Sequence, residues 1–198
     1  MEMTAKNNFQ YPYNLLNKLY GKEMDMVFPN GINADQMEGL NYILSLLEKE
    51  EKQYILLRYK QGLKFLEIAD IFHVTAGNIE QRIFKICNLK LRPRRYYIEK
   101  GLRGFKQEMH CLKETNKEAI PIEYLDLPQK YYNALKRAHL HTVGDILDKM
   151  KTSSAKWYAS AYNVGKQRAI FVETVLIKEG LIKEEMLYVH NKTCKKKA

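Results

Sequence analysis

"FLEIADIFHVTAGNIEQRIFKI", residues 65–86, is the stretch whose reading decides the fold. Its apolar residues recur at helical spacing in two blocks, Ile68, Ala69 and Phe72 in the first and Ile79, Ile83 and Ile86 in the second. The join reads His-Val-Thr-Ala-Gly-Asn. Thr75 is suited to cap a new helix, because its hydroxyl can accept a backbone amide from the first turn, where Asn78 sits. His73 stands where the first helix must stop, and His tolerates a positive φ better than most residues. Ala69 is small where two helices would cross closely. Helix, tight turn and capped helix make a helix-turn-helix, whose second helix can lie in a DNA major groove. That helix would turn Ala76, Gly77, Asn78, Gln81, Arg82 and Lys85 outward. Asn and Gln can pair with adenine edges, while Arg and Lys reach guanine or phosphate. The same spacing also fits a plain αα-hairpin that touches no DNA.

Composition narrows the classes. The 198 residues carry Lys+Arg 33 against Asp+Glu 23, a net charge of +10, and 45% are hydrophobic. A core or two can form, and the basic surplus points to a polyanion, nucleic acid first and an acidic membrane face second. Cys87, Cys111 and Cys194 are far apart and form no C-x-x-C pair, so neither a zinc site nor a disulfide framework is indicated. His139 and His141 are two apart, which on a helix points them in different directions. Nothing approaches the ~18 consecutive apolar residues of a membrane span, and the start lacks a signal peptide's pattern. We therefore expect reduced thiols, a cytoplasmic protein, and no metal, cofactor, membrane partner or small-molecule substrate.

Outward from the opening segment the periods are helical and none is strand-like, so the expected fold class is all-α, in two small domains. Leu40, Ile43, Leu44 and Leu47 recur at three and four; Glu48, Glu50 and Glu51 open a helix that buries Tyr54 to Leu57; Gly62 ends it. Pro93 breaks or kinks the helix that carries "LKLR". Between Lys85 and Lys106 basic residues crowd against Glu99 alone. The expected division is an aromatic-rich, loosely helical arm over 1–36, a helix-turn-helix domain over 37–100, a basic and polar linker over 101–120, a second domain over 121–183 and a basic tail over 184–198.

"LEKEE", "ILLRY", "EIADIFHVT", "IEQRIFKI" and "LKLRP" together resemble region 4 of the sigma-70 family of transcription initiation factors. The resemblance implies that the helix from Thr75 to Lys85 reads a promoter element, with Arg58, Lys64 and Arg92 near phosphates. The sequence departs from the family at His73, where Gly is common, and in "TAGNIE", which has few long donors and brings Glu80 toward phosphate. Gly77 also weakens that helix by about 1 kcal/mol relative to Ala.

In the second domain, "PIEYLDL", "YNALKRAHLHTVGDIL" and "NVGKQ" resemble the C-terminal domain of the bacterial RNA polymerase alpha subunit. "NVGK" itself reads as a hairpin between helices, where Gly165 allows close approach, the next helix offers amides to a phosphate, and Lys166 and Arg168 add charge. "YNALKRA" is a helix with Lys130, Asn133, Lys136 and Arg137 on its outer face. The family's helix-hairpin-helix straddles the minor groove of A·T-rich upstream DNA. Its groove-inserting Arg falls on Lys130, its Asn on Asn133, the neighbouring Cys on Ala134 and the hairpin Gly on Gly165. The next basic position persists as Lys166, and Gln167 and Arg168 replace the Lys-Ser that comes after it. Lys lacks the planar fork of Arg, so weaker or less selective binding is expected. Glu123 and Asp126 fall on the acidic patch that touches a sigma factor.

The resemblances imply double-stranded DNA and bacterial RNA polymerase as partners, in a transcription regulator rather than an enzyme. No segment resembles the sigma part that melts the −10 element or the alpha assembly domain, and no catalytic set is discernible. A repair-enzyme reading of "YNVGKQRA" needs a catalytic Lys or Asp in a base pocket, and the sequence places none there. The alternative is an adaptor that mimics sigma and alpha contacts on polymerase with little sequence-specific DNA binding.

Overall fold

The computed structural model describes residues 10–159, 161 and 164–183. The basic tail, Cys194, the first nine residues of the arm and Asn163 of the hairpin lie outside them. The described residues are helical, without a strand among them and with one isolated bridge, between Pro121 and Thr142. The all-α expectation is borne out. The protein divides between Phe105 and Lys106 into two compact units.

The first unit holds α1 (Tyr13–Tyr20), α2 (Met24–Val27), α3 (Ala34–Ser45), α4 (Lys49–Ile55), α5 (Phe65–Phe72), α6 (Ala76–Lys85), α7 (Tyr96–Glu99) and the first turn of α8 (Leu102–Thr115). Two helices run on in wider π turns, α4 through Leu56–Lys60 and α6 through Ile86–Leu91. The arm is not loose where it is described. Leu15, Leu16 and Leu19, three and four apart, are each 0% exposed, so α1 is a wall of the core. Asn14 Nδ2 donates to the Tyr59 carbonyl at 2.7 Å, and the Tyr20 and Phe28 rings meet edge-on at 5.0 Å. The tyrosines help, but the leucines between them decide the docking.

α3 begins with a reciprocal capping box, Asn33 Oδ1 accepting the Gln36 amide at 2.9 Å and Gln36 Oε1 accepting that of Asn33 at 3.0 Å. A Cβ on Gly39 would lie 1.9 Å from the Tyr97 carbonyl oxygen, so α3 and α7 meet backbone to backbone there. The stretch 101–120, expected as a linker, is helical from Leu102 to Thr115. Leu102, Phe105, Met109 and Leu112 recur at three and four beneath its charges, and Phe105 and Met109 are buried. Asp35 starts this helix from a distance: its carboxylate accepts the amides of Arg103 at 2.9 Å and Gly104 at 3.3 Å.

The second unit continues α8 from Lys106 and adds α9 (Gln129–Arg137), α10 (Val143–Ser153) and α11 (Lys166–Lys178). Leu125, Leu127, Leu135, Leu140, Val143 and Ile146 are buried and form its core; Leu147 is only half-buried. Thr142 and Asp145 cap α10 reciprocally, Thr142 Oγ1 accepting the Asp145 amide at 3.1 Å while Asp145 Oδ2 accepts those of His141 and Thr142 at 2.8 and 2.9 Å. Trp157 is wholly buried and its Nε1 donates to Glu173, itself buried, at 2.8 Å. Tyr131 stacks flat on Phe171 with centroids 4.4 Å apart, which fixes α9 against α11.

Candidate nucleic-acid interface

The opening segment folds as two short helices around a tight turn. The Ala69 carbonyl stops α5 by accepting the amides of His73 and Val74, and His73 takes the left-handed conformation at φ 53°. Thr75 Oγ1 then accepts the Asn78 amide at 3.3 Å and opens α6. Ile68, Ala69, Ile79 and Ile83 are buried; Phe72 is half-buried, edge-on to Tyr54 at 4.6 Å.

Gly77, Asn78, Gln81, Arg82 and Lys85 lie exposed on α6, as does Glu80, and Ala76 is partly exposed. No atom lies within 4 Å of where a Gly77 Cβ would be, so the protein's own packing does not require glycine there. Arg82 is already engaged. It donates to the Glu50 carboxylate and to the Tyr54 hydroxyl, each at 2.6 Å, and the Tyr54 hydroxyl in turn donates to Glu50. Burial, then the Glu50 hydrogen bond, raises the Tyr54 phenol above its ordinary range.

The expected phosphate contacts divide. Lys64 is exposed just before α5, where its amide donates to Glu67. Arg58 donates to the Leu63 carbonyl at 2.9 Å and lies over the Phe65 ring at 4.7 Å, bracing the turn between α4 and α5. Arg92 Nε donates to the Leu19 carbonyl at 3.1 Å, so it closes the C-terminus of α1. Its neighbours behave alike. Lys90 pairs with Glu51 at 2.5 Å, Arg94 donates to the Lys90 carbonyl at 2.9 Å, Arg95 pairs with Glu23 at 2.9 Å, and Arg103 with Glu38 at 3.3 Å. Much of the basic run from Lys85 to Lys106 thus holds the first unit together. Charge counting along the sequence cannot detect this, because the acidic partners come from distant helices.

In the second unit, residues far apart in sequence converge. Lys130 and Tyr131 of α9 line a concavity of about 350 Å³ with Gly165, Lys166, Gln167 and Arg168 at the start of α11. Lys130 is exposed, its Nζ 4.9 Å from the centroid of the Tyr131 ring. Gly165 precedes α11 without a capping side group, and a Cβ there would meet nothing within 4 Å. Asn133 lies one turn along α9 from Lys130, half-buried, and its Oδ1 accepts from Gln129 Nε2 at 2.8 Å. Ala134 is buried, so it supports the face rather than forming it. Tyr131, a wall of the concavity, was not among the residues expected here; its position beside Lys130 was the available signal. Lys136 faces Glu123 at 2.6 Å.

That ion pair bears on the expected protein contact. Burial pushes the Glu123 carboxyl up, but Lys136, its own backbone amide and the Tyr132 hydroxyl outweigh it and hold the group below the usual range. Asp126 is exposed, in the left-handed conformation at φ 48°. Among the described residues no group of His, Cys, Asp and Glu could hold a metal ion, and no helix is long and apolar enough to cross a membrane.

Comparison with known families agrees with both resemblances and with their order. Residues 38–88 match the family model of Sigma-70, region 4, and residues 108–154 that of the C-terminal domain of the bacterial RNA polymerase alpha subunit. The second match begins within α8 and stops short of the Gly165 turn. No curated protein and no solved structure matches the sequence. Domains of these two kinds mark a DNA-binding, transcription-related protein, and they are generally non-enzymatic.

Proposed function

We propose that the protein is a bacterial DNA-binding transcription regulator that works in the cytoplasm with RNA polymerase at promoters. In this reading α6 enters a major groove, and the Lys130 concavity straddles a minor groove of A·T-rich upstream DNA. The concavity carries the proposal, because cationic side chains of α9 and the uncapped start of α11 meet around one space. A narrow A·T minor groove concentrates negative potential, which cations and a helix N-terminus answer together. On the other unit, Asn78, Gln81 and Lys85 supply donors for base edges and phosphates. Two weak sites on one polypeptide gain from effective concentration, by ~10²-fold or more.

The test is titration of A·T-rich promoter duplex and random duplex at several salt concentrations, with the intact protein and a Lys130→Ala, Lys166→Ala double variant. The intact protein is expected to prefer A·T-rich DNA, with affinity falling steeply as salt rises. The double variant should lose most of that preference and about tenfold in affinity, as two counterion-releasing contacts disappear. Equal affinity for both duplexes at every salt concentration sinks the proposal.

Specific observations favour a second reading, an adaptor docked on polymerase. Arg82 is paired with Glu50, Glu80 is exposed on α6, and Leu66 and Ile71 of α5 are 64% and 54% exposed. Retention of core polymerase by the double variant in a pull-down favours the adaptor; its loss favours DNA bridging.

A further inference from the structure

Gln129 has no role in either resemblance, yet it touches the side chain on which minor-groove reading would turn. Its Nε2 donates to Asn133 Oδ1 at 2.8 Å, across one turn of α9. Gln129 Oε1 is buried and has no hydrogen-bond partner. An unsatisfied buried acceptor is costly, and a buried amide nitrogen with protons unplaced is rarer still. Reversing the pair, so that Gln129 Oε1 accepted from Asn133, would leave Nε2 with two protons in that buried position. The observed orientation is therefore the favoured one, and it has a direct consequence. With its oxygen engaged by Gln129, Asn133 is left with its Nδ2 donors to offer a ligand.

We propose that Gln129 is a positioning residue that sets the A·T preference of the second unit by fixing Asn133 as a donor. The inference rests on the minor-groove reading of the Lys130 concavity. In that groove an A·T pair shows only acceptors, adenine N3 and thymine O2, whereas a G·C pair adds the guanine 2-amino donor. A side chain that presents only donors fits the first edge and opposes the second. Lys130, one turn away on the same helix, is also donor-only, but its flexible, strongly hydrated charge reaches phosphate beside either sequence and so discriminates less than a fixed amide.

The experiment uses the full-length protein and three duplexes of one length, with a central tract of A·T, G·C or inosine·C pairs. Inosine·C has the major-groove face of G·C but lacks the 2-amino group, so the ratio between those two duplexes isolates the minor-groove donor. Intact protein is expected to bind A·T and inosine·C tracts alike, and each about tenfold more tightly than G·C, the lower part of the range for one good base contact. Gln129→Glu replaces the donor with a carboxylate, which accepts from Asn133 Nδ2 and turns Asn133 Oδ1 outward. Its added charge lowers affinity for all three duplexes, but the inosine·C to G·C ratio should fall to about one or invert. Gln129→Met removes the constraint without charge and should give an intermediate ratio; circular dichroism and melting confirm that each variant is folded. If intact protein discriminates and both variants keep its ratio, the role of Gln129 is overturned while the minor-groove reading stands. If intact protein binds inosine·C and G·C tracts equally, the minor-groove reading fails and this inference with it.

Discussion

At Gly39 the backbone has no room for a methyl group, since the Tyr97 carbonyl occupies the position a Cβ would need. The obstacle is itself backbone, so no side-chain rotation relieves it. Gly39→Ala should cost about 3 kcal/mol by overpacking, measured by denaturant melting, and should part α3 from α7. Asp145 offers a subtler test. Hydrogen bonds from the His141 amide first, and from Thr142, outweigh burial and lower its pKa below the ordinary carboxylate value. A depressed pKa means that the folded state binds the proton less readily than the unfolded one. The stabilisation is therefore complete above the unfolded value, about 3.9, and is lost as pH falls through the folded value. Asp145→Ala, which removes the acceptor, should be less stable at neutral pH by about 1 kcal/mol, as for loss of a cap, and its stability should change less as pH falls below about 4.

At the scale of helices, the α5–turn–α6 element was legible in the sequence almost residue by residue. His73, Thr75 and the isoleucines act locally, and local rules suffice for a turn, a cap and a buried stripe. The same rules do not reach Arg82, because the Glu50 and Tyr54 that engage it lie on α4. Glu50→Gln should release Arg82 toward DNA. Affinity should rise severalfold at low salt, and the slope of log affinity against log salt should steepen by up to about 0.9, one more phosphate contact. An unchanged slope would mean that Arg82 stays with Tyr54. In the second unit the convergence of Lys130 with Lys166 was implied by the family resemblance, not by spacing. Gln129 was invisible from either, because its part depends on which way a neighbouring amide faces.

At the scale of the molecule, two helical modules in the right order were legible, and the family matches at 38–88 and 108–154 repeat them. What lies outside their centres was not. Leu15, Leu16 and Leu19 are less conspicuous than the tyrosines around them, and polar residues hide the apolar spacing of α8. Leu16→Ala should cost about 2–5 kcal/mol, the penalty of a core cavity rather than of a surface arm, and should lower the melting temperature of the first unit. The hold of Arg92 and Arg95 on the Leu19 carbonyl gives α1 a second importance. A protein trimmed of its opening helix would do more than lose stability. It would set free the Arg92 guanidinium that is now occupied, and the shortened form should leave a cell lysate carrying more adventitious RNA and DNA, with a higher absorbance at 260 nm than the intact protein.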